Sequence, residues 1–248
     1  MTGPLQKGPI LYHGDNPLCE EGMGFGVPVV IRNFQTYLSF TATLETVRAE
    51  GREGLRKTFF LNALERFSFK GIEVDNTLAY TGVELSGSLY KRIKWLQGFL
   101  PKSNYLRKKA GFELFFKEVK PLAKITVDYR LSSDNIEVSV DLSDFNKMRR
   151  KDKVFILNEA GARFFPFYQD IKGRALKRKE IGAWSKVEAG QACFFTEDKS
   201  TGFCVQQQQV AGLYRGWELC SDSLSWAGFI YDLSRFKEPV FTYSVTIV

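Results

Sequence analysis

Residues 125–142 constrain this chain more than any other stretch, because they spell out a β-hairpin. Ile125, Val127, Tyr129 and Leu131 alternate with Thr126, Asp128 and Arg130. Ile136, Val138, Val140 and Leu142 then alternate with Glu137, Ser139 and Asp141. Between the arms lies Ser132-Ser133-Asp134-Asn135, polar residues that close turns on their own backbone. A period of two held through both arms means a sheet with one dry face and one wet face.

The same pattern recurs along the chain. Leu38, Phe40, Ala42 and Leu44 alternate with polar partners, and Phe59, Leu61, Ala63, Phe67 and Phe69 repeat it beyond a basic turn at 51–57. A second hairpin joins 191–196 to 203–207 through Asp198-Lys199-Ser200-Thr201-Gly202, and Phe241, Tyr243, Val245 and Ile247 close the series. Strands follow strands without intervening helices, so the expected fold is all-β and mainly antiparallel. No linker-like change of composition interrupts it, so residues 1–248 are expected to form one domain, with 1–26 as a loop-rich opening segment. Residues 90–110 are the exception. Seven lysines and arginines stand there with Ile93, Trp95, Leu96, Phe99 and Leu100 and no acid, which predicts a short amphipathic helix laid over a sheet edge. Such a segment also suits peripheral contact with a membrane.

Composition narrows the function classes. The 22 phenylalanines suit broad sheets packed face to face. A net charge of +7 favours acidic partners, but none of the familiar nucleic-acid recognition motifs is present, so nucleic acid is not the expected partner. The opening residues lack the apolar core of a secretory signal, and no apolar run approaches a membrane span, so a cytoplasmic protein is expected. Its four cysteines lack C-x-x-C spacing, which argues against a zinc site. Cys193 and Cys204 flank the second hairpin and could face one another, but in a cytoplasm they read as buried free thiols. Gly22-Met23-Gly24-Phe25-Gly26 imitates a phosphate-binding loop, yet a strand-like run with Pro28 follows where a helix is required. Neither cofactor nor metal is expected.

The residues able to carry chemistry are few. His13, the only histidine, lies beside Asp15 and could serve as a general acid or base. Glu159 and Glu218 are the carboxylates best placed beside aromatic residues, and with His13 they form the candidate catalytic set. Arg163 and Tyr168 border the aromatic run 164–168; Trp184 and Trp217, the latter beside Arg215, offer planes on which a sugar ring could stack. Gln206 to Gln209 would place two glutamines on each face of a strand. One pair would then point inward, which is costly without hydrogen bonds, so Gln207 is expected beside a wet cleft.

The succession of long alternating strands, the ITVDYRLSSDNIEVSVDL hairpin and the aromatic late strands resemble the galactose mutarotase-like β-supersandwich. That resemblance implies a two-layer antiparallel sandwich. It also implies carbohydrate binding or carbohydrate modification, and the net charge makes acidic sugars the first ligands to try. Sugar mutarotases use an imidazole acid and a carboxylate base; the family's mid-chain histidines have no counterpart here, where only His13 is present. No motif names a reaction. The competing expectation is a non-enzymatic β-barrel or sandwich that binds an apolar ligand or a membrane surface.

Overall fold

The computed structural model describes residues 8–13, 16–18, 24–49, 52–70, 72–75, 112–145, 152–182, 184–221 and 224–248. Within them the alternating segments form two antiparallel sheets packed as a sandwich. The hairpin of residues 125–142 sits well inside the first sheet as β10 (Lys124–Leu131) and β11 (Asn135–Asp141). Ile125, Val127 and Tyr129 are buried, as are Ile136, Val138 and Val140, while the residues between them face outward.

Beyond β10 the first sheet continues through β6 (Arg52–Phe60) to β5 (Thr41–Ala49). Beyond β11 come β20 (Val240–Ile247), β17 (Gly202–Gln207), β16 (Gln191–Phe195), β13 (Phe167–Asp170) and the edge strand β14 (Ala175–Lys177). The second sheet runs from β15 (Ser185–Lys186) through β18 (Gly212–Ser221), β19 (Leu224–Asp232), β12 (Lys153–Ala160), β3 (Gly24–Arg32) and β4 (Gln35–Leu38). It continues to β7 (Ala63–Phe69) and β8 (Ile72–Asp75), with β9 (Phe112–Glu118) also paired to β7. A separate two-strand ladder joins β1 (Tyr12–His13) to β2 (Asn16–Pro17).

Two expectations from the sequence are revised. The alternation through residues 38–44 is not one strand, because the chain passes from the second sheet to the first between Leu38 and Thr41. It returns between Phe60 and Ala63, where buried Asn62 secures both passages: its Oδ1 accepts from the Phe40 amide at 2.9 Å and its Nδ2 donates to Thr41 Oγ1 at 3.2 Å. The basic stretch read as a turn at 51–57 lies mostly in β6, where Arg56 reaches the Asp128 carboxylate across the ladder with two bonds. The segment 90–110 lies outside the described residues.

Aromatic rings stitch the sheets together. Phe203 of the first sheet meets Phe25 and Phe229 of the second at 5.3 and 5.9 Å between centroids, and Tyr243 meets Tyr231 at 4.6 Å. Polar ties cross the same interface: the Tyr243 hydroxyl donates to Asn158 Oδ1 at 2.6 Å, and Tyr129 donates to the Phe25 carbonyl at 3.1 Å. Gly26 makes the second tie possible. Its φ is +72°, and a Cβ there would stand 2.8 Å from the Tyr129 hydroxyl.

The second sheet is also apolar on its outer face. Val27, Val29, Ile31, Phe155, Leu157 and Ile230 are all buried there with Trp184. This explains why β3 reads as a continuous apolar run, a pattern expected of a strand buried on both sides.

Candidate functional site

Strand alternation decides where each candidate side chain goes. On β18, Leu213, Arg215 and Trp217 are buried, whereas Tyr214 and Glu218 are only partly so. Trp217 belongs to the central core, 6% exposed, with its indole N–H donated to the Ala162 carbonyl at 3.0 Å. The face expected to hold a sugar is occupied by protein. Arg215 is 2% exposed; its guanidinium lies 4.7 Å from the Tyr168 ring centre, and Nη1 donates to the Lys186 carbonyl at 3.2 Å. Burial pulls its pKa below the ordinary arginine value. Tyr168 is equally buried and donates its hydroxyl to Asp170 at 3.1 Å. Burial raises the pKa of that hydroxyl, with the Arg215 charge working in the opposite direction. These residues form a packed bridge between the sheets.

Trp184, Glu159 and Glu218 all lie on the outer face of the second sheet. The Trp184 indole stacks on Trp226 at 4.2 Å with 18° between planes, and the backbone of Trp184 is left-handed at φ +51°. Gly216 leaves the room: a Cβ there would lie 2.3 Å from the Trp226 ring. Glu218 is the cross-strand partner of Trp226, and Glu159 that of Gly228 two residues along the same strand. Arg163 is exposed in the turn after β12, and the backbone of His13 pairs with Asn16.

The inward-facing glutamine pair is not formed. Gln206 is exposed and Gln207 half-buried, accepting from the Ala211 amide at 3.4 Å. Gln208 and Gln209 follow the strand in a bend, where both accept hydrogen bonds from Thr242, one from its hydroxyl and one from its amide. The strand ends before a second glutamine pair can be set.

The free-thiol expectation is corrected as well. Cys193 and Cys204 are direct partners in the β16–β17 ladder and are joined by a disulfide, their Cα atoms 4.0 Å apart. A structural bridge of this kind belongs to oxidising surroundings, so the cysteines give no support to a cytoplasmic location. No helix among the described residues is long and apolar enough to cross a membrane. Among the same residues, no group of three His, Cys, Asp or Glu could hold a metal ion.

A depression with both apolar and charged walls lies on the outer face of the first sheet. Its volume is about 210 Å³, and it is lined by Phe167, Phe195, Gln169, Lys177, Lys199 and Glu180, among others. Phe167 alternates with inward Tyr168, so its ring is left half-buried on the outer side. Its cross-strand partners are Lys177 and Phe195. The Lys177 ammonium stands 4.7 Å from the Phe167 ring centre and the Lys199 ammonium 5.4 Å.

Both lysines are held in place locally. Lys177 Nζ lies 3.3 Å from Glu197, whose other oxygen meets Arg178 at 3.0 Å; Arg178 first and Lys177 second lower the Glu197 pKa. Lys199 sits in the β16–β17 turn at φ +57°, its amide bonded to the Thr196 carbonyl at 3.0 Å. Asp198 locks that turn by accepting from Thr196 Oγ1 at 2.7 Å and from the Ser200 amide at 3.0 Å. Those bonds, the one from Thr196 foremost, bring the Asp198 pKa down to about 2. Lys199 has no carboxylate partner among the described residues, and Lys172, Arg174 and Lys179 are exposed nearby without one. The depression therefore has an aromatic floor and walls of mixed charge, with Lys199 unpaired among the described residues, Lys177 tied to Glu197 and Glu180 on the lining.

Comparison with known proteins adds the following. No family model matches the sequence, and no curated protein matches it. Among solved structures, the α-N-acetylgalactosaminidase NagBb from Bifidobacterium bifidum, in complex with GalNAc, is similar over 94% of this chain. Sequence identity is 9% and the TM-score 0.46. A quadruple mutant of that enzyme gives 9% identity and a TM-score of 0.42 over the same share. This chain spans 31% of the length of either structure. An Escherichia coli K12 protein assigned as an aldose 1-epimerase is similar over 84% of this chain and 99% of its own, at 8% identity and a TM-score of 0.32. With every TM-score below 0.5, function has to be read from this chain's own geometry.

Of the ligand-binding residues expected from the sequence, Tyr168 lines the depression. Tyr168, the inward neighbour of Phe167, was the expected contact, and the two positions differ only in which face of β13 they occupy. The available signal was the aromatic run 164–168 followed by the cations of 172–179. Lys199, some thirty residues on, joins them only through the β13–β16–β17 register.

Proposed function

We propose that this chain binds acidic carbohydrate at the Phe167 depression. The observation that carries the reading is the half-buried Phe167 ring lying beneath two lysine ammonium groups. A pyranose ring has an apolar face that suits the phenyl plane, and a uronate or sulfate group on it would meet the ammoniums. Gln169 supplies a neutral amide for hydroxyls at the rim. The competing apolar-ligand reading needs an open interior, whereas the space between the sheets is filled by Phe194, Phe203, Phe229, Tyr231 and Phe241, all under 2% exposed.

An array of neutral and acidic glycans, followed by calorimetry on the hits, tests the proposal. Acidic glycans should bind, with affinity falling as salt is raised. Phe167→Ala should weaken them by about thirtyfold, the usual loss on truncating a central aromatic contact of about 2 kcal/mol. Lys177→Gln with Lys199→Gln should weaken acidic but not neutral glycans. An array without acidic binders, or affinity unchanged in Phe167→Ala, would refute the assignment.

A further inference from the structure

The geometry points to a ligand longer than one sugar: an acidic oligosaccharide lying across the strands of the first sheet and covering about three units. This rests on the reading of the Phe167 depression as an acidic-sugar site and extends it.

Lys177 on β14 pairs with Phe167 on β13, Phe167 with Phe195 on β16, and Phe195 with Gly202 on β17. Gly202 and Val248 exchange backbone bonds in both directions, at 2.6 and 3.0 Å. Cross-strand partners share a face, so these five residues form one row on the outer surface. Gly202 has no side chain to interrupt it; a Cβ there would meet the Phe195 ring at 2.7 Å and Val248 at 3.0 Å. The result is a low apolar strip made by Phe167, Phe195 and Val248, the last 48% exposed.

Both borders of the strip are polar. On one side runs the turn of residues 196–201, which carries Lys199. On the other, the next row contains exposed Gln169, the Cys193–Cys204 bridge and half-buried Thr246, whose hydroxyl meets Asn135 at 3.2 Å. At the far end the Asp134 carbonyl accepts from the Ile247 amide, so that turn stands beside Val248 and closes the strip with an acidic residue. From β13 to β20 the strip crosses three strand spacings, about 14 Å at roughly 4.8 Å each, which accommodates about three linked pyranose rings. Charge sets the direction: the cations cluster at the Phe167 end, so an acidic unit belongs there and the following units cross Phe195 and Gly202 toward Val248.

The test is calorimetry of the full chain with a uronic-acid ladder of one to six units. Affinity should climb about tenfold overall from one to three units and then level off. Val248→Asp should lower the affinity of the trimer by at least threefold and leave the monomer unchanged, whereas Phe167→Ala should weaken every length. Equal affinity for one and four units, or a trimer unaffected by Val248→Asp, overturns the oligosaccharide track while the depression remains a sugar site. If no acidic glycan of any length binds, uronic or sulfated, both readings fall. A single-stranded oligonucleotide bound more tightly than the trimer also overturns the proposal, since its stacked bases and phosphates would then be the better match.

Discussion

Trp217 and Phe167 are both aromatic residues on strands of alternating burial, yet one is locked inside the sandwich and the other lies on its surface. The Trp217 indole is 6% exposed and its single donor is taken by the Ala162 carbonyl, so it has nothing left to offer a ligand. Phe167 keeps part of its ring on the outer face, beneath the Lys177 and Lys199 ammonium groups. An aromatic residue beside charged neighbours in sequence is thus a poor guide to a binding plane. Which face of the strand it occupies, and whether its polar atoms are already satisfied, decides the matter.

The largest expected effect belongs to the buried side of the comparison. Trp217→Ala should cost about 3–5 kcal/mol of stability in urea unfolding, the usual range for emptying a core position of this size. Phe167→Ala should stay within about 1 kcal/mol of the parent, as surface substitutions do. Equal costs at the two sites would erase the distinction.

Asn158 comes next. Its Oδ1 accepts from both the Tyr243 hydroxyl and the Gly26 amide, so Asn158→Ala strands two buried donors and should cost about 2–4 kcal/mol. Tyr243→Phe removes one donor together with its need for a partner and should cost less, about 1 kcal/mol. Comparing the two unfolding midpoints checks the order. Replacing Cys193 and Cys204 together by Ala should cost about 2–3 kcal/mol, the entropy of a loop of this length, and reduction of the parent protein should reproduce it.

The smallest effect is a pH dependence confined to the Lys199 turn. Asp198 has a pKa lowered from 3.8 to about 2 in the folded chain, so its contribution is present above the unfolded value and disappears as pH falls through about 2. Protection of the Ser200 amide, taken relative to its intrinsic exchange rate at each pH, should therefore hold down to about pH 4 and be lost between there and about pH 2. Asp198→Asn should remove that pH dependence. A turn whose exchange ignores this window would show that the carboxylate does not hold Lys199.

Much of the fold was legible because a period of two carries its own structural meaning. Residues 125–142 declare a hairpin with a dry face, and burial follows their alternation except at Leu131, expected on the dry face but exposed where the strand runs into the turn. Alternation is silent on sheet membership, however. Residues 38–44 keep their rhythm while the chain changes sheets, and only the long-range bonds of Asn62 mark the passage. The site was harder still. Trp184, Glu159 and Glu218 do share one face, but Arg215, Tyr168 and Trp217 spend their polar atoms inside the molecule. The Phe167 depression depends on three strands and a turn brought into register, which no local pattern encodes.

The position of β20 has a consequence for how the molecule is made. It follows both of its neighbours in sequence, yet it lies in the middle of the first sheet, between β11 and β17. On a ribosome, the strands on either side of it emerge first and wait as two separate half-sheets, each with an unpaired backbone edge. Such edges are open to pairing with other chains, and joining them requires contacts between residues over a hundred positions apart, such as Asn135 with Thr246. Synthesis should therefore pass through a window in which the chain is prone to aggregate, closed only when residues 240–247 insert.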